Sequence, residues 1–294
     1  MRFMMQFANS SKRIGYVAVA ASAIIFGFTP VIAAMSYQGG SNGINMAFFR
    51  ALIPLPVLWL LSRRQGNISS AGLRKSILPG VFLFSCTLLL YSSYQYISPG
   101  LATTLHFLYP LLVSVYESLV QKRQLGRLKR IGIVVAVFGA VCMTDFQQQQ
   151  IGLKGAVLAI LSAFCYTAYM VTLEKDSVRS VPLYHLMTGI SLTGIAMCGT
   201  CGIILGKIAF HLTAVAWFCA IAAAMLTAVI GCVLFQFGVR KAGKSDAAVF
   251  SLLEPFTSVF FTILFMHESL CFRSLFGCVL IILGLLLSVL ERKS

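Results

Sequence analysis

"LLEPFTSVFFTILFMHESL", residues 252–270, sets a glutamate, Glu254, beside a proline, Pro255, in a run that is otherwise almost wholly apolar. Both look costly there. Proline removes a helix hydrogen bond, and a carboxylate in apolar surroundings needs a partner. The stretch gains meaning from an earlier one. Shifted by 145 positions without a gap, Ala102, Leu108, Pro110, Leu119, Leu125, Gly132, Val134 and Gly139 fall on Ala247, Leu253, Pro255, Leu264, Leu270, Gly277, Val279 and Gly284. Apolar matches are cheap in such segments, but one proline and two glycines at a single shift are less so. A weaker register, at a shift of 140, lays Ser22 and Ala23 on Ser162 and Ala163.

The surroundings of this repeat fix the class. Of 294 residues, 59% are hydrophobic and 11% charged, whereas soluble domains are about half apolar and about a quarter charged. There is too little polar surface to cover a soluble fold, so an all-α, polytopic membrane protein is expected. Ten apolar runs are long enough to be candidate spans: 14–34, 44–62, 74–96, 98–120, 129–145, 152–173, 182–206, 213–237, 244–266 and 273–290. Only "ISPG", Ile97–Gly100, separates the third from the fourth, as in a tight turn between helices. The first run follows the basic "MRFMMQFANSSKR" but is longer than a cleaved signal's apolar core, so it reads as a retained span.

The net charge of +15 raises the question of nucleic acid. The basic residues instead lie in short clusters between apolar runs, and no nucleic-acid partner is expected. With the N-terminus inside, the clusters around Arg13, Arg63, Arg127, Arg179, Lys241 and Arg292 all fall on the cytoplasmic side; only Lys154, Lys207 and Arg273 fall outside. This is the positive-inside pattern, and it places both termini in the cytoplasm of a bacterial inner membrane.

Several chemistries find no support. Cys198 and Cys201 form a CxxC with no neighbouring His or acid, and the other seven cysteines mostly lie inside apolar runs as small hydrophobes. "KAGKSDA" lacks the upstream glycine of a phosphate loop, and "MHES" has no second histidine for a metalloprotease. Neither an enzyme nor a metal or other cofactor is implied. The expected partners are a small-molecule substrate and the lipid bilayer. The chain is compatible with a monomer, and a homodimer stays open.

The two halves, 1–147 and 148–294, hold five spans each. An odd number makes the second half cross in the opposite sense to the first. Inverted repeats are the mark of alternating-access carriers, with the substrate at the midplane between the halves. "LATTLHFLYPLL", "FFRALIP" and "AAVFSLLEPFTSVFFTILFMHESL…GCVLIILG" also resemble the drug/metabolite transporter superfamily, in particular its EamA-like group. The resemblance implies a ten-helix bundle of two inverted EamA-like repeats that moves small solutes such as amino acids, often outward. One departure is clear: Arg123 stands where the second copy has Glu268.

Ionisable groups inside spans are functional candidates by default. Glu254 and Ser251 are three apart and share a helix face; their repeat counterparts are Tyr109 and His106. Glu254 is expected to contact a substrate amine or take up a proton, the alternative being a protonated or hydrogen-bonded group at a helix kink. His106 is expected to bind a carboxylate or relay a proton, the alternative being a neutral core residue. Tyr91, Tyr94 and Gln236, with Phe26, Tyr166 and Tyr169, are candidate walls of the substrate cavity. Pro110 and Pro255 are candidate hinges or fixed bends. Arg50 is read as snorkelling or pairing with a helix end as readily as binding an anion, and Glu117 and Glu268 as structural. A passive channel or a non-transporting receptor remains the rival of a carrier.

Overall fold

The computed structural model describes residues 2–67, 69–120, 122, 126–143, 151–173, 175–242, 250–251, 253–267 and 272–290. Their regular structure is helical throughout: α1 (Arg2–Met35), α2 (Gly43–Leu52), α3 (Leu55–Arg63), α4 (Ser70–Ser93), α5 (Pro99–His106), α6 (Tyr109–Val120), α7 (Arg127–Met143), α8 (Ile151–Leu173), the short α9 (Asp176–Arg179), α10 (Leu183–Ile204), α11 (Ala214–Met225), α12 (Cys232–Ala242), α13 (Leu253–Met266) and α14 (Phe272–Leu290). Every expected apolar run falls on this helical order where it is described; residues 144–145, 244–249 and 252 of the runs 129–145 and 244–266 lie outside the described residues. Six stretches are long and apolar enough to cross a bilayer; Arg130–Gly139, Leu253–Met266 and Leu275–Leu287 are shorter apolar helices. The remaining run is broken into α5 and α6.

The breaks have local causes. Pro110 carries no amide proton for the His106 carbonyl, so the ladder is interrupted at Phe107–Leu108 and restarts with Pro110 in the first turn of α6. Pro54 separates α2 from α3 in the same way. Between α11 and α12 the helix widens into a π-helical stretch, Leu226–Gly231. Helix starts are capped by side chains: Asn42 accepts from the Asn45 amide, Ser98 from Leu101 and Thr213 from Ala216.

Apolar side chains face outward as well as inward, and polar ones are enclosed. Val134, Phe138, Phe218 and Phe260 are 58–73% exposed on the outside, a surface suited to lipid rather than water. Ser22, Asn45, Thr104, Ser162, Ser258 and Thr262 are wholly enclosed. Several of the buried hydroxyls donate back to the carbonyl three or four residues earlier, as Ser22 does to Val19, Thr104 to Gly100 and Ser162 to Ala159. The chain is a multi-pass membrane protein.

Packing follows a repeating scheme. α4 lies on α8, and α1 on α12; α1 also lies on α13, and α5 and α6 lie on α8. α7 and α14 pair with each other through glycines. A Cβ on Gly139 would meet the Gly277 carbonyl oxygen at 2.7 Å, and one on Gly284 would meet the Ala136 amide at 3.0 Å and the Gly132 carbonyl. The contact is therefore reciprocal: Gly139 meets Gly277, Gly284 meets Gly132, and each is the other's counterpart at the 145-residue shift. Small residues let the two backbones approach this closely. The α2/α3–α10 seam is tied at both ends. Asn45 Nδ2 donates to the Ala209 carbonyl, in the segment just after α10, at 2.9 Å, while at the opposite end His185 Nε2 lies 3.0 Å from the Ser62 carbonyl.

Candidate functional site

A cavity of about 400 Å³ lies at the centre of the bundle. It is contributed by nearly every long helix, and each helix brings a local device. On α1, Phe26 and Pro30 face it. Gly27 lets α1 approach the first turn of α13, since a Cβ there would come within 2.6 Å of the Glu254 carbonyl oxygen. The π-helical stretch presents Thr227 and Ala228 to the same space. Such a widened turn re-aims side chains and recurs at functional sites. The break after α5 sets His106 at its edge, with Tyr109 on the far side of the break.

Nine of the ten side chains expected from sequence line this cavity: Glu254, His106, Tyr109, Ser251, Tyr91, Tyr94, Phe26, Tyr166 and Tyr169. The tenth, Gln236, sits on α12, but its side chain lies outside the described residues, as do Glu268 and the side chain of Glu117. Of the two prolines, Pro110 stands in the first turn of α6 and Pro255 is buried in the first turn of α13.

The walls are aromatic. The Tyr109 and Tyr166 rings meet edge to face at 4.5 Å, His106 lies 5.2 Å from Tyr166, and Tyr91 lies 5.6 Å from Tyr94. Such pairs give a rigid lining that also carries hydroxyls. His106 is fixed by Ser162, whose Oγ is 2.9 Å from Nδ1. The Ser162 hydroxyl has one proton, and it donates that proton to the Ala159 carbonyl at 2.6 Å. Its oxygen therefore accepts from His106 Nδ1–H, which leaves Nε2 as the ring nitrogen available to a solute. The Glu254 carboxylate has no hydrogen-bond or ion-pair partner among the described residues; only its backbone carbonyl is engaged, accepting from Thr257 at 3.0 Å.

Arg50 is the residue the sequence reading placed least well. It does not run out along its helix to the membrane edge. It lines the cavity, donates from Nη1 to Thr87 Oγ1 at 3.2 Å, and holds its guanidinium 5.8 Å from the centre of the Tyr91 ring. The last turn of α2 suits a cation, because the helix's carbonyl end faces it. What sequence could not supply was direction: a single arginine in an apolar helix reads alike whether it faces lipid edge or cavity.

A helical chain of this order has counterparts among known proteins. The model of the EamA-like transporter family matches residues 13–144 and again 153–290. The chain belongs to the EamA-like transporter family. This places it in the drug/metabolite transporter superfamily and makes it a membrane transporter. Among EamA-like relatives, the uncharacterized transporter YcbK of Bacillus subtilis (strain 168) is 26% identical over 260 residues, covering 83% of this chain and 82% of the relative. The uncharacterized transporter sll1319 of Synechocystis sp. is 24% identical, covering 99% of this chain and 97% of the relative. A protein crystal structure superimposes with a TM-score of 0.65 at 18% identity, covering 97% of this chain and 99% of that one, a likeness of fold.

Proposed function

We propose that this EamA-family protein is a secondary carrier that exports a small metabolite, such as an amino acid, across a bacterial inner membrane by alternating access. Its two halves act as inverted repeats and both termini lie in the cytoplasm. The central cavity carries this reading. Its lining runs from Pro30, Tyr91, Tyr94 and Thr103 at one end to Leu173, Leu183 and Met187 at the other. The second end is the one that the basic clusters assign to the cytoplasm. Tyr91, Tyr94 and Thr103 are buried while Leu173, Leu183 and Met187 are only half-buried, which supports a cavity that reaches inward and is stopped outward, as one state of a carrier requires. The reciprocal Gly139–Gly277 and Gly284–Gly132 contacts support the twofold relation of the halves. Glu254 and His106, projecting from counterpart helices, are the groups that contact the cargo.

The test is an untargeted profile of the medium around cells with and without the protein, followed by counterflow of each enriched compound in proteoliposomes. A carrier gives enrichment, saturable flux and counterflow. Ohmic conductance would favour a channel, and no flux for any enriched compound would remove the transport reading for this chain.

A further inference from the structure

Arg50 is unusual among the polar groups of the cavity because its charge is not paired at contact distance. Its partners are a neutral hydroxyl, Thr87 Oγ1, and the face of Tyr91; among the described residues no carboxylate lies within salt-bridge distance of it. A cation inside a membrane span is retained at a cost of several kcal/mol unless something of opposite charge meets it. Thr87 does not serve as that group, since its own proton goes to the Leu83 carbonyl at 2.9 Å.

A second observation points to the same end of the cavity. Tyr94 Oη and Thr103 Oγ1 are buried in its wall, close enough to share a weak hydrogen bond, and neither has any further partner among the described residues. Buried hydroxyls are normally satisfied, and an orphaned pair beside a cavity marks a place where a bound group completes them. The Tyr94 ring packs on the Tyr91 ring, which lies against the Arg50 guanidinium. One charged donor and two hydroxyls with no firm partner beyond each other therefore converge on one region.

We propose that Arg50, Tyr94 and Thr103 form an oxyanion subsite, and that the cargo carries a carboxylate or a similar planar oxyanion held there. The guanidinium offers two parallel N–H donors to such a group, and the hydroxyls offer one each. The acid of the site, Glu254, is on α13, which packs with α1 and α5, whereas Arg50 is on α2, which packs with α4, α10 and α11. The two charges sit on different walls, and a solute that also bears an amine reaches both. The inference rests on the carrier reading for its physiological meaning, but binding tests it independently.

The experiment uses the full chain purified in lipid nanodiscs. It is incubated with a defined panel: the proteinogenic amino acids, the acids left when their amines are removed, and the amines left when their carboxylates are removed. Retained compounds are read by mass spectrometry. The wild type is expected to retain acids and amino acids and to pass the carboxylate-free amines. Arg50→Gln loses retention by at least about tenfold, as expected for a lost charge-assisted hydrogen bond, and Arg50→Lys keeps part of it. Tyr94→Phe and Thr103→Val, which remove only a hydroxyl, weaken retention without unfolding the bundle, and so guard against an Arg50 variant that fails to fold. Retention of the carboxylate-free amines, unchanged retention in Arg50→Gln, or no retention of any carboxylate by the wild type overturns the subsite. Binding of acids without counterflow in proteoliposomes would instead remove the carrier reading and leave the subsite standing.

Discussion

At the scale of single residues, the informative question is which groups the fold leaves unfinished. The carboxylate of Glu254 faces the cavity without a partner among the described residues, while its counterpart in the other half, Tyr109, is packed edge to face on Tyr166. The fold thus builds one half without an acid at this position, which supports the proposal that the acid serves the cargo site rather than the helix. Replacing Glu254 with Gln keeps shape and hydrogen bonding and removes the charge. Transport is expected to fall by about ten- to a hundredfold, the worth of a hydrogen bond to a charged group, with Glu254→Asp retaining part of it. His106→Ala is expected to act in the same direction. Ser162→Ala should do so more weakly, by freeing the imidazole to turn. Initial rates in proteoliposomes decide the matter: wild-type rates in both Glu254→Gln and His106→Ala would sink the site while leaving the fold untouched.

At the scale of elements, small residues set how closely helices approach. α7 and α14 meet backbone to backbone where Gly139 faces Gly277 and Gly284 faces Gly132. A leucine at Gly139 or Gly284 has no space to enter and should lower thermal stability in detergent by about 1–3 kcal/mol or more, the usual cost of overpacking. Val134→Leu, on the lipid-facing side of the same helix at 69% exposure, should stay within about 0.5 kcal/mol of the wild type. Equal melting of the two kinds of variant would refute the glycine seam. This contact was half legible in sequence. The matched glycines announced a repeat, because glycine and proline are scarce enough to align. That they would meet one another was not legible, because a shift compares positions along the chain and contains no distances. The break at Phe107–Leu108 and the π-helical turn at Leu226–Gly231 were hidden for a related reason. Both lie in unbroken apolar sequence, and hydropathy marks where a helix crosses, not where its ladder opens. Pro110 hinted at the first of these; no residue type signals the second.

At the scale of the whole molecule, the pseudo-twofold pairing makes the present state readable, since a symmetric object reveals its conformation by where symmetry fails. The turn after α1 and the end of α4 are joined, at the side the proposed topology makes the outer one, where the Tyr37 hydroxyl donates to the Tyr91 carbonyl at 2.6 Å. The counterpart helices are α8 and α12. Among the described residues they make at most a marginal contact, and Tyr169 and Leu173 on α8 line the cavity together with Phe235 on α12. Under the proposed alternating access, the hydrogen-bonded junction and its looser counterpart are the natural alternating gates, while the α2/α3–α10 seam, tied at both ends, is the natural fixed part. The Tyr37 hydrogen bond belongs only to the shut junction, and its removal should bias the molecule toward the other state. Tyr37→Phe deletes one oxygen and leaves the Tyr91 carbonyl unmet, a loss of about 1 kcal/mol, which is about fivefold in the ratio of the two states. Thr103→Cys in a cysteine-free background reports it, because Thr103 lies at the closed end of the cavity. An impermeant maleimide added outside intact cells should label that cysteine about fivefold faster when Tyr37→Phe is also present. Labelling that is unchanged or slower would show that the outer junction is held by something other than this hydroxyl. Faster labelling from the cytoplasmic face would reverse the assignment of inside and outside.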